Sequence, residues 1–347
     1  MVKMTVLASG SKGNSTVLSS SRTRILVDAG LSCREIFKGM AAAGEDPRTL
    51  DAILITHEHQ DHVQGLAVTA RKLGIPVYFT EPTHRAWVRW MNPRKRVTYA
   101  DWLATRVQRS AISDQDSDQG SGLRAQEDSD RRSAVSDQNS DQGSGLRAQE
   151  DSDQRSAISD QNVVSLAAGE EETKPEKDPC ALPAVEYFCS GSPFCVGDIA
   201  VTPFTIPHDA ADPVGFVFEA DGVRIGLATD LGYMPPNAKR HLTRCDVLML
   251  ESNHDLEMLR DGPYPWSVKQ RVMSRVGHLS NLAAAEFLKS EYDGGAAYIV
   301  LAHLSESNNL PELARVSAEH ALRDRMSLLA NKLLLAAQDR PLESIVL

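Results

Sequence analysis

Short apolar runs, bounded by glycine, serine and charged residues, recur along both ends of the chain. Runs of this length and spacing are typical of buried strands. In the first part of the chain the predicted strands cover residues 4–8, 24–28, 51–56 and 76–79. In the last part they cover residues 199–206, 214–219, 223–229, 247–251 and 297–301. Both ends of the chain are therefore expected to be rich in β-sheet.

Helical spacing fills the segments between these runs. Ser32 and Glu35 form a capping box, which predicts a helix that begins after Ser32 and ends near Gly44. Further helices are predicted at residues 62–73, 266–276, 281–290 and 312–337. Strand-rich ends with helices outside them indicate an α/β fold, a layered αββα sandwich in one domain. Periodicity alone fits an ordinary doubly wound sheet equally well.

The middle of the chain has a different composition. A unit of 23 residues begins at Arg109, recurs at Arg132 and starts again at Arg155. It consists mostly of Ser, Asp, Gln and Gly, which cannot bury enough apolar surface to offset the entropy of ordering. A solenoid would need more complete units. We interpret residues 105–184 as a disordered acidic insertion between the first part of the domain, 1–104, and the second, 185–347.

The insertion changes the meaning of the net charge, which is −10 over 347 residues. That total argues against binding to nucleic acid or to an anionic membrane surface. The insertion, however, contains nine Lys and Arg against 17 Asp and Glu, so it carries −8 of the total. The other 267 residues carry only −2, and nucleic acid stays open as a substrate.

Cysteine usage and hydropathy predict where the protein works. The five cysteines contain no Cys-x-x-Cys pair, which indicates reduced thiols and no disulfide framework. No run approaches the ~18 to 20 apolar residues of a membrane span. The first residues lack the features of a signal peptide. We therefore expect a cytoplasmic protein without a membrane partner.

The segment THEHQDH, residues 56–62, carries the strongest chemical signal. It directly follows a predicted buried strand and so lies at the carboxyl end, where α/β sheets bind ligands. His57 and His59 can face one metal ion, while Asp61 and His62 can turn toward a second. Imidazole with carboxylate suits zinc, and also manganese or iron. A solvated polar turn is the alternative, and the apolar flanks count against it.

The pattern His-x-His-x-Asp-His after a strand resembles the signature of the metallo-β-lactamase fold. The other positions of that family's pattern follow in the same order, at Asp28, His208, Asp230 and His303. The resemblance implies two divalent metal ions, the first held by His57, His59 and His208, the second by Asp61, His62 and His303, with Asp230 bridging them. It also implies that Asp28 orients the ligands by hydrogen bonds. Asp209 could compete with His208 as a ligand.

A closer resemblance rests on longer motifs, namely SGSKGNS at 9–15, DAGLS at 28–32, PHDAADPVGF at 207–216, LESNHD at 250–255, MLRDGPYPW at 258–266, GHLSN at 277–281 and LAHLSESNN at 301–309. Together they are similar to the YycJ (WalJ) group of bacterial metallohydrolases, which is related to the tRNase Z and PhnP phosphodiesterases. This resemblance implies a 5′-to-3′ exonuclease that cleaves DNA through a hydroxide bridging two metal ions. The long insertion departs from the group, whose members are usually compact.

Two further residues are candidates for proton transfer. Glu251 and His254 resemble the carboxylate–histidine pair that protonates the leaving group in the tRNase Z branch. With Asp61 they form the expected catalytic set. In the alternative interpretation His254 caps a turn and Glu251 meets a basic neighbour.

Substrate contacts are expected in two segments rich in glycine and serine. Ser11 and Asn14 lie in a loop whose backbone N–H groups could cradle a phosphate, although a plain hairpin turn fits equally well. His278 and Ser280 precede a helix, and a helix N-terminus can bind a phosphate oxygen. Ser280 could equally serve as an N-cap alone. The basic and aromatic residues 85–99 fit either nucleic-acid contacts or a solvated helix.

Metal-ligand spacing does not by itself select the substrate, because two metal ions can hydrolyse phosphodiesters, thioesters, lactones and β-lactams alike. A small-molecule hydrolase (a thioesterase, lactonase or cyclic-phosphate diesterase) is therefore the alternative function. A basic rim would favour a polymer, and a narrow neutral pocket a metabolite. A third interpretation makes the insertion the functional part, which binds an unknown protein partner.

Overall fold

The computed structural model describes residues 1–92, 178–329 and 332–347. The strands in the first part are β1 (Lys3–Ala8), β2 (Ser15–Ser19), β3 (Arg24–Val27), β4 (Ala52–Leu54) and β5 (Val77–Phe79). Those in the second are β6 (Val185–Tyr187), β7 (Phe194–Val196), β8 (Ile199–Thr205), β9 (Val214–Ala220), β10 (Val223–Ala228), β11 (Val247–Glu251), β12 (Tyr298–Ala302), β13 (Lys332–Leu335) and β14 (Ile345–Val346).

The helices lie between these strands. They are α1 (Cys33–Ala42), α2 (Gln60–Val63), α3 (Leu66–Leu73), α4 (Glu81–Met91), α5 (Pro236–His241), α6 (Leu256–Asp261), α7 (Trp266–Val272), α8 (Asn281–Ser290) and α9 (Pro311–Leu329). The predicted capping box is confirmed, because the Ser32 side chain accepts from the Glu35 backbone and Glu35 reaches back to the Ser32 backbone. No helix among the described residues is both long and apolar enough to cross a membrane.

The strands of the described residues form two sheets of seven. The first has the order β14-β1-β2-β3-β4-β5-β6 and the second the order β13-β12-β11-β10-β9-β8-β7. In each sheet one half is antiparallel and the other parallel: the run from β3 to β6 is parallel, and so is the run from β10 to β13. Parallel strands that are neighbours end at the same edge, which brings the loops that follow them together.

Alternating side chains of these strands bury both faces of each sheet. In β3, Ile25 and Val27 enter the core between the sheets, whereas Leu26 enters the core under α1, α3 and α4. In β11, Met249 faces the core between the sheets and Leu250 faces α5, α8 and α9. Burial on both faces explains why these strands are continuous apolar runs. The layers are helix, sheet, sheet and helix, as the αββα prediction requires.

Several predicted helices differ in their bounds. The predicted helix 62–73 is two helices, α2 and α3, and the predicted helix 266–276 ends at Val272 as α7. The predicted helix 312–337 is wrong at its end, because α9 ends at Leu329 and Lys332–Leu335 is the strand β13, paired in parallel with β12. A short run such as KLLL fits either element, and pairing with β12 decides. Part of the predicted insertion, residues 105–177, lies outside the described residues. Residues 178–184 are described, and Cys180 there is buried against Asn92 and Val88.

Candidate metal centre

The predicted ligands come together at the carboxyl ends of strands from both sheets. Asp28 follows β3 and the loop 56–62 follows β4, while Asp230 follows β10 and His303 follows β12. Asp28, Asp230 and His303 have positive φ angles of 59°, 62° and 55°, which are unusual for residues other than glycine. Backbone of this kind is typical of functional sites, where the surrounding structure compensates for the strain.

The segment 56–62 packs directly against the backbone of Gly30. A Cβ atom added to Gly30 would lie 1.7 Å from the backbone oxygen of Asp61. The loop after β3 can therefore approach the loop after β4 only because residue 30 has no side chain. This close approach places Asp28 beside the histidines of the neighbouring loop.

Three imidazoles form the first cluster. Ligand atoms of His57, His59 and His208 all lie within 4.8 Å of one another, and His208 Nε2 is 3.2 Å from His59 Nδ1. Burial, together with the neighbouring imidazoles, holds the pKa of His57 well below its usual value. Burial also lowers the pKa of His208. Both are then neutral at pH 7, and the neutral imidazole is the form that coordinates a metal.

A carboxylate and two imidazoles form the second cluster. Ligand atoms of Asp61, His62 and His303 also lie within 4.8 Å of one another. Asp61 Oδ2 is 3.4 Å from His303 Nε2 and 3.6 Å from His62 Nε2. Burial alone would lower the pKa of His62, but the carboxylates of Asp230, Asp28 and Asp61 raise it to about 9. The cluster therefore attracts positive charge strongly enough to hold a proton at pH 7.

Asp230 lies between the two clusters. One of its carboxylate oxygens is 3.3 Å from His62 Nε2, and the other is 3.2 Å from His303 Nδ1 and 4.0 Å from His208 Nε2. Its Oδ2 is buried without a hydrogen-bond partner, as is Nε2 of His57. Buried polar atoms without a partner are costly, and a cation coordinated by both would satisfy them. The side chains present therefore fit a divalent metal ion.

Asp28 orients one ligand from behind, where the resemblance placed it. Its carboxylate accepts hydrogen bonds from the Thr56 backbone at 2.9 Å, from the Thr56 hydroxyl at 2.9 Å and from His62 Nδ1 at 2.8 Å. Because Nδ1 of His62 is held in this way, Nε2 points toward Asp61 and Asp230. A carboxylate behind a ligating histidine fixes its tautomer and orientation.

Glu251 has a comparable position in the other half of the site. Its Oε1 is 2.9 Å from Nδ1 of both His278 and His303, and its Oε2 accepts from the backbone N–H groups of Leu231 and Leu279. Burial would raise the pKa of Glu251, but the two imidazoles hold it far below its usual value. The geometry thus makes Glu251 an ionised acceptor that orients two histidines.

His254 does not pair with Glu251 through a hydrogen bond in the described contacts. Its side chain is buried, its backbone bridges to Ser280, and its Nδ1 has no hydrogen-bond partner. Burial lowers the pKa of His254 to about 4, so the ring is neutral. Two histidines both contact Glu251 and line the cleft, namely His278 and His303, and His303 also contacts Asp61 as a candidate ligand. The geometry therefore favours His278 over His254 as the partner of the carboxylate.

The four predicted substrate contacts divide into two pairs. Ser11 and His278 line a cleft of about 390 Å³ in front of the clusters. Asn14 is buried behind it, where its side chain contacts His62 Nε2 at 3.0 Å and the backbone of Gly10. Ser280 is the N-cap of α8, with its hydroxyl accepting from Ala283. Asn14 and Ser280 thus hold loops in place.

Several residues of the cleft wall were not singled out from the sequence, namely Asn253, Tyr264, Val268, Arg271, Val272, Ser305 and Asn308. Four of them stand in the quoted motifs: Asn253, Tyr264, Ser305 and Asn308. Those motifs could have pointed to them. Arg271 stands in none of the motifs, and only its place on a helix before GHLSN could have suggested it. Asp209, considered as a competing ligand, has both carboxylate oxygens bonded to Arg271.

Comparison with known proteins agrees with this geometry. Residues 8–109 match the model of the metallo-beta-lactamase superfamily, and residues 135–303 match that of a beta-lactamase superfamily domain. The exodeoxyribonuclease WalJ of Streptococcus pneumoniae serotype 2 is 31% identical over 320 residues, which are 92% of this chain and 88% of the relative. The exodeoxyribonuclease YycJ of Bacillus anthracis is 30% identical, over 92% of this chain and 89% of the relative.

Solved structures show the same fold at low identity. The metallo-beta-lactamase fold protein YhfI of Bacillus subtilis superposes with a TM-score of 0.55 and 14% identity, covering 99% of this chain and 100% of the other. A divalent metal site at the histidine–aspartate clusters is in keeping with this family. The chain belongs to the metallo-β-lactamase superfamily and, within it, to the WalJ/YycJ family.

Proposed function

We propose that this chain is a metal-dependent exodeoxyribonuclease, which hydrolyses phosphodiester bonds of DNA from the 5′ end toward the 3′ end. The observation that carries the proposal is the pairing of the ligand clusters with a Glu251-held His278 at one cleft. The two relatives named above are exodeoxyribonucleases by name, and they align with nearly the whole chain.

The metal part of the proposal is specific. The chain would hold two divalent ions, zinc first and manganese or iron as alternatives. His57, His59 and His208 would hold one, Asp61, His62 and His303 would hold the other, and Asp230 would serve both. When bound, such ions lower the pKa of a water molecule and offset the charge of a phosphate. The protein's contribution is to fix the ligands, through Asp28 behind His62 and Glu251 behind His303.

His278 is the residue we assign to proton delivery at the leaving oxygen. Its Nδ1 is held by the Glu251 carboxylate, so Nε2 points away from Glu251. The ring lies in the wall of the cleft and is partly exposed. A carboxylate behind an imidazole fixes the orientation of the ring, and an alkoxide leaving group needs a proton. His254 is replaced by His278 in this role, and Glu251 acts through it.

A strand of nucleic acid has room at this cleft. Beyond Ser11, Gln60 and Asp61 the cleft continues into a groove of about 500 Å³, which Lys12 and Gln64 also line. A chain that enters one side can therefore pass the candidate metal centre and leave along the groove. This continuity favours a polymer over the small-molecule substrates considered as the alternative.

The place of action belongs to the same proposal. Cys33, Cys180 and Cys245 are buried and Cys189 and Cys195 are exposed, and all five are free thiols. Free thiols are typical of a reducing compartment. We propose that the protein works in the cytoplasm, where its DNA substrate lies, and that residues 105–177 bind a protein partner rather than take part in catalysis.

The test is a nuclease assay on metal-reloaded protein. Zinc- or manganese-loaded protein should release nucleotides from the 5′ end of DNA that carries a 5′-phosphate and a 3′ label. Asp61→Ala and His62→Ala should lose this activity, while His320→Ala, which changes an exposed histidine far along α9, should keep it. Hydrolysis of a thioester or lactone, with no cleavage of DNA or of a phosphodiester reporter, would refute the proposal.

A further inference from the structure

Helix α7 presents one face to the cleft. Val268, Arg271 and Val272 line the cleft, as helical spacing allows, and Tyr264 lines it just before the helix. Lys269 points the other way and donates to the backbone oxygen of Arg260. Arg271 is thus directed at the same space as the candidate metal ligands, and its side chain is 58% exposed there.

Asp209 fixes the Arg271 guanidinium. Nε and Nη2 of Arg271 donate to the two carboxylate oxygens of Asp209, the second at 3.1 Å. Asp209 in turn lies 3.5 Å from His208 Nε2 and 4.0 Å from His59 Nε2. A guanidinium has five N–H groups, so this pairing leaves three N–H groups for another acceptor. The side chain is therefore held beside the first ligand cluster with free donors.

The charges around the cleft indicate what these free N–H groups could bind. Asp61 and Asp230 line it with negative charge, and Arg271 is the one arginine or lysine in the described lining. The carboxylates would repel a phosphate that approached the centre. A cation is therefore needed at the phosphate oxygens that do not face the metal ions. A planar guanidinium can donate two parallel N–H groups to a phosphate, which a lysine cannot.

We propose that Arg271 binds a phosphate group of the substrate strand next to the metal centre, and that Asp209 positions it. The inference rests on the proposed phosphodiesterase function and makes it more specific: it assigns selection of phosphate over neutral esters to one side chain. The phosphate could be the terminal 5′-phosphate or an internal phosphodiester, and both present the same oxygens.

The experiment compares Arg271→Met with Arg275→Met in metal-loaded protein. Arg275 lies four residues further on and stacks over Tyr233, outside the cleft lining. On a 5′-phosphorylated oligonucleotide we expect Arg271→Met to lower kcat/KM about 30-fold, mostly through KM, which is typical of a lost charged hydrogen bond. Arg271→Lys should lose about fivefold, and Arg275→Met less than twofold. Metal content should be unchanged in all three.

Substrates with and without the terminal phosphate separate the two sources. If Arg271 binds the 5′-phosphate, the loss appears only on 5′-phosphorylated DNA. If it binds an internal phosphodiester, the loss is equal on 5′-hydroxyl DNA. Wild-type-like kcat/KM for Arg271→Met on both substrates would overturn the inference while leaving the nuclease function intact.

A second measurement does not depend on cleavage. The affinity of metal-loaded protein for inorganic phosphate, measured by calorimetry, should fall at least tenfold in Arg271→Met and stay within twofold in Arg275→Met. If the wild type cleaved no DNA at all, the nuclease proposal would fail, and this affinity would decide the inference alone. Equal phosphate affinity in wild type and Arg271→Met would overturn it.

Discussion

The two halves of the candidate metal centre are assembled in different ways. In the first half, six consecutive residues that follow β4, of which the last three begin α2, contain the four candidate ligands His57, His59, Asp61 and His62. In the second half the candidate ligands His208, Asp230 and His303 each follow a different strand, up to 95 residues apart in sequence. One half is thus a local motif, whereas the other exists only once the second sheet has formed.

The carboxylates behind the ligands differ in the same way. Asp28 contacts His62 and Thr56, both in the segment 56–62, and orients one imidazole. Glu251 contacts His278 and His303, which are 27 and 52 residues away in sequence, and holds two imidazoles with one oxygen. A change at Glu251 should therefore affect more of the site than the same change at Asp28.

The largest effect is expected where the halves meet. Asp230→Asn keeps the size of the side chain but removes the charge that faces His62 and His303. We expect DNA cleavage to fall at least about 1000-fold, because metal charge and ligand geometry are both disturbed. Circular dichroism should be unchanged, since asparagine tolerates the positive φ of 62° well. Activity within tenfold of wild type would show that the halves do not share this carboxylate.

The next effect tests the second half alone. Glu251→Gln leaves a buried amide whose NH2 group faces N–H donors in either orientation, the two ring nitrogens or the backbone of Leu231 and Leu279. We expect kcat to fall about 100-fold and unfolding free energy to fall by about 1–3 kcal/mol, as for a buried polar group left without its partner. Denaturant unfolding and single-turnover kinetics measure the two. Glu257→Gln, on the exposed side of α6, is the control and should change neither.

The matching change in the first half is Asp28→Asn. It removes the carboxylate behind His62 and leaves the ligands themselves in place. Metal affinity should fall about 10- to 100-fold, as is usual when the group that orients a ligating histidine is replaced. Competition with a chromogenic chelator measures this. A larger loss of DNA cleavage than in Glu251→Gln would reverse the order that the contacts predict.

Metal binding should also depend on pH through the second cluster. Neighbouring carboxylates raise the pKa of His62 to about 9, so metal-free protein holds a proton there at pH 7. The metal must displace this proton, and affinity should therefore fall about tenfold from pH 8 to pH 7 for each proton released. Calorimetry in buffers of different ionisation enthalpy counts the protons. Affinity that is independent of pH over this range would contradict the charge state assigned to His62.

The smallest effect is expected from the segment that joins the halves. Deletion of the repeats, residues 109–162, should change kcat/KM for DNA less than twofold, because the compact unit formed by the described residues already contains every candidate ligand. Cleavage by the deleted chain is measured beside the full chain. A loss of more than tenfold would mean that the repeats contribute to the centre or to substrate binding.

How much of the fold and the site could be predicted from the sequence depends on the same difference between a local motif and long-range contacts. The strand before the motif 57–62 was predicted correctly, because its signal lies in consecutive residues, whereas α2 begins at Gln60 and not at His62. The end of the chain was predicted wrongly. KLLL at 332–335 falls in a predicted helix, and pairing with β12 makes it a strand. Residues such as Ser15–Ser19, a strand of mixed polarity between two others, gave no clear period.

Roles within the second half were harder to predict than positions. Glu251 was identified, but its partners come from elsewhere in the chain, His278 from the segment between α7 and α8 and His303 from the end of β12. The sequence suggested the adjacent His254 instead. Arg271 carries no motif, and its relevance depends on α7 packing beside Asp209. Long-range contacts of this kind are fixed by topology and not by local pattern.

The most direct test is to follow DNA cleavage and bound metal together while metal-free protein is titrated with zinc or manganese. We expect no cleavage without metal, and nucleotide release from the 5′ end that rises with bound metal and saturates at two equivalents per chain. Cleavage that survives complete metal removal, or metal-saturated protein that releases no nucleotides from DNA, would contradict a metal-dependent exodeoxyribonuclease.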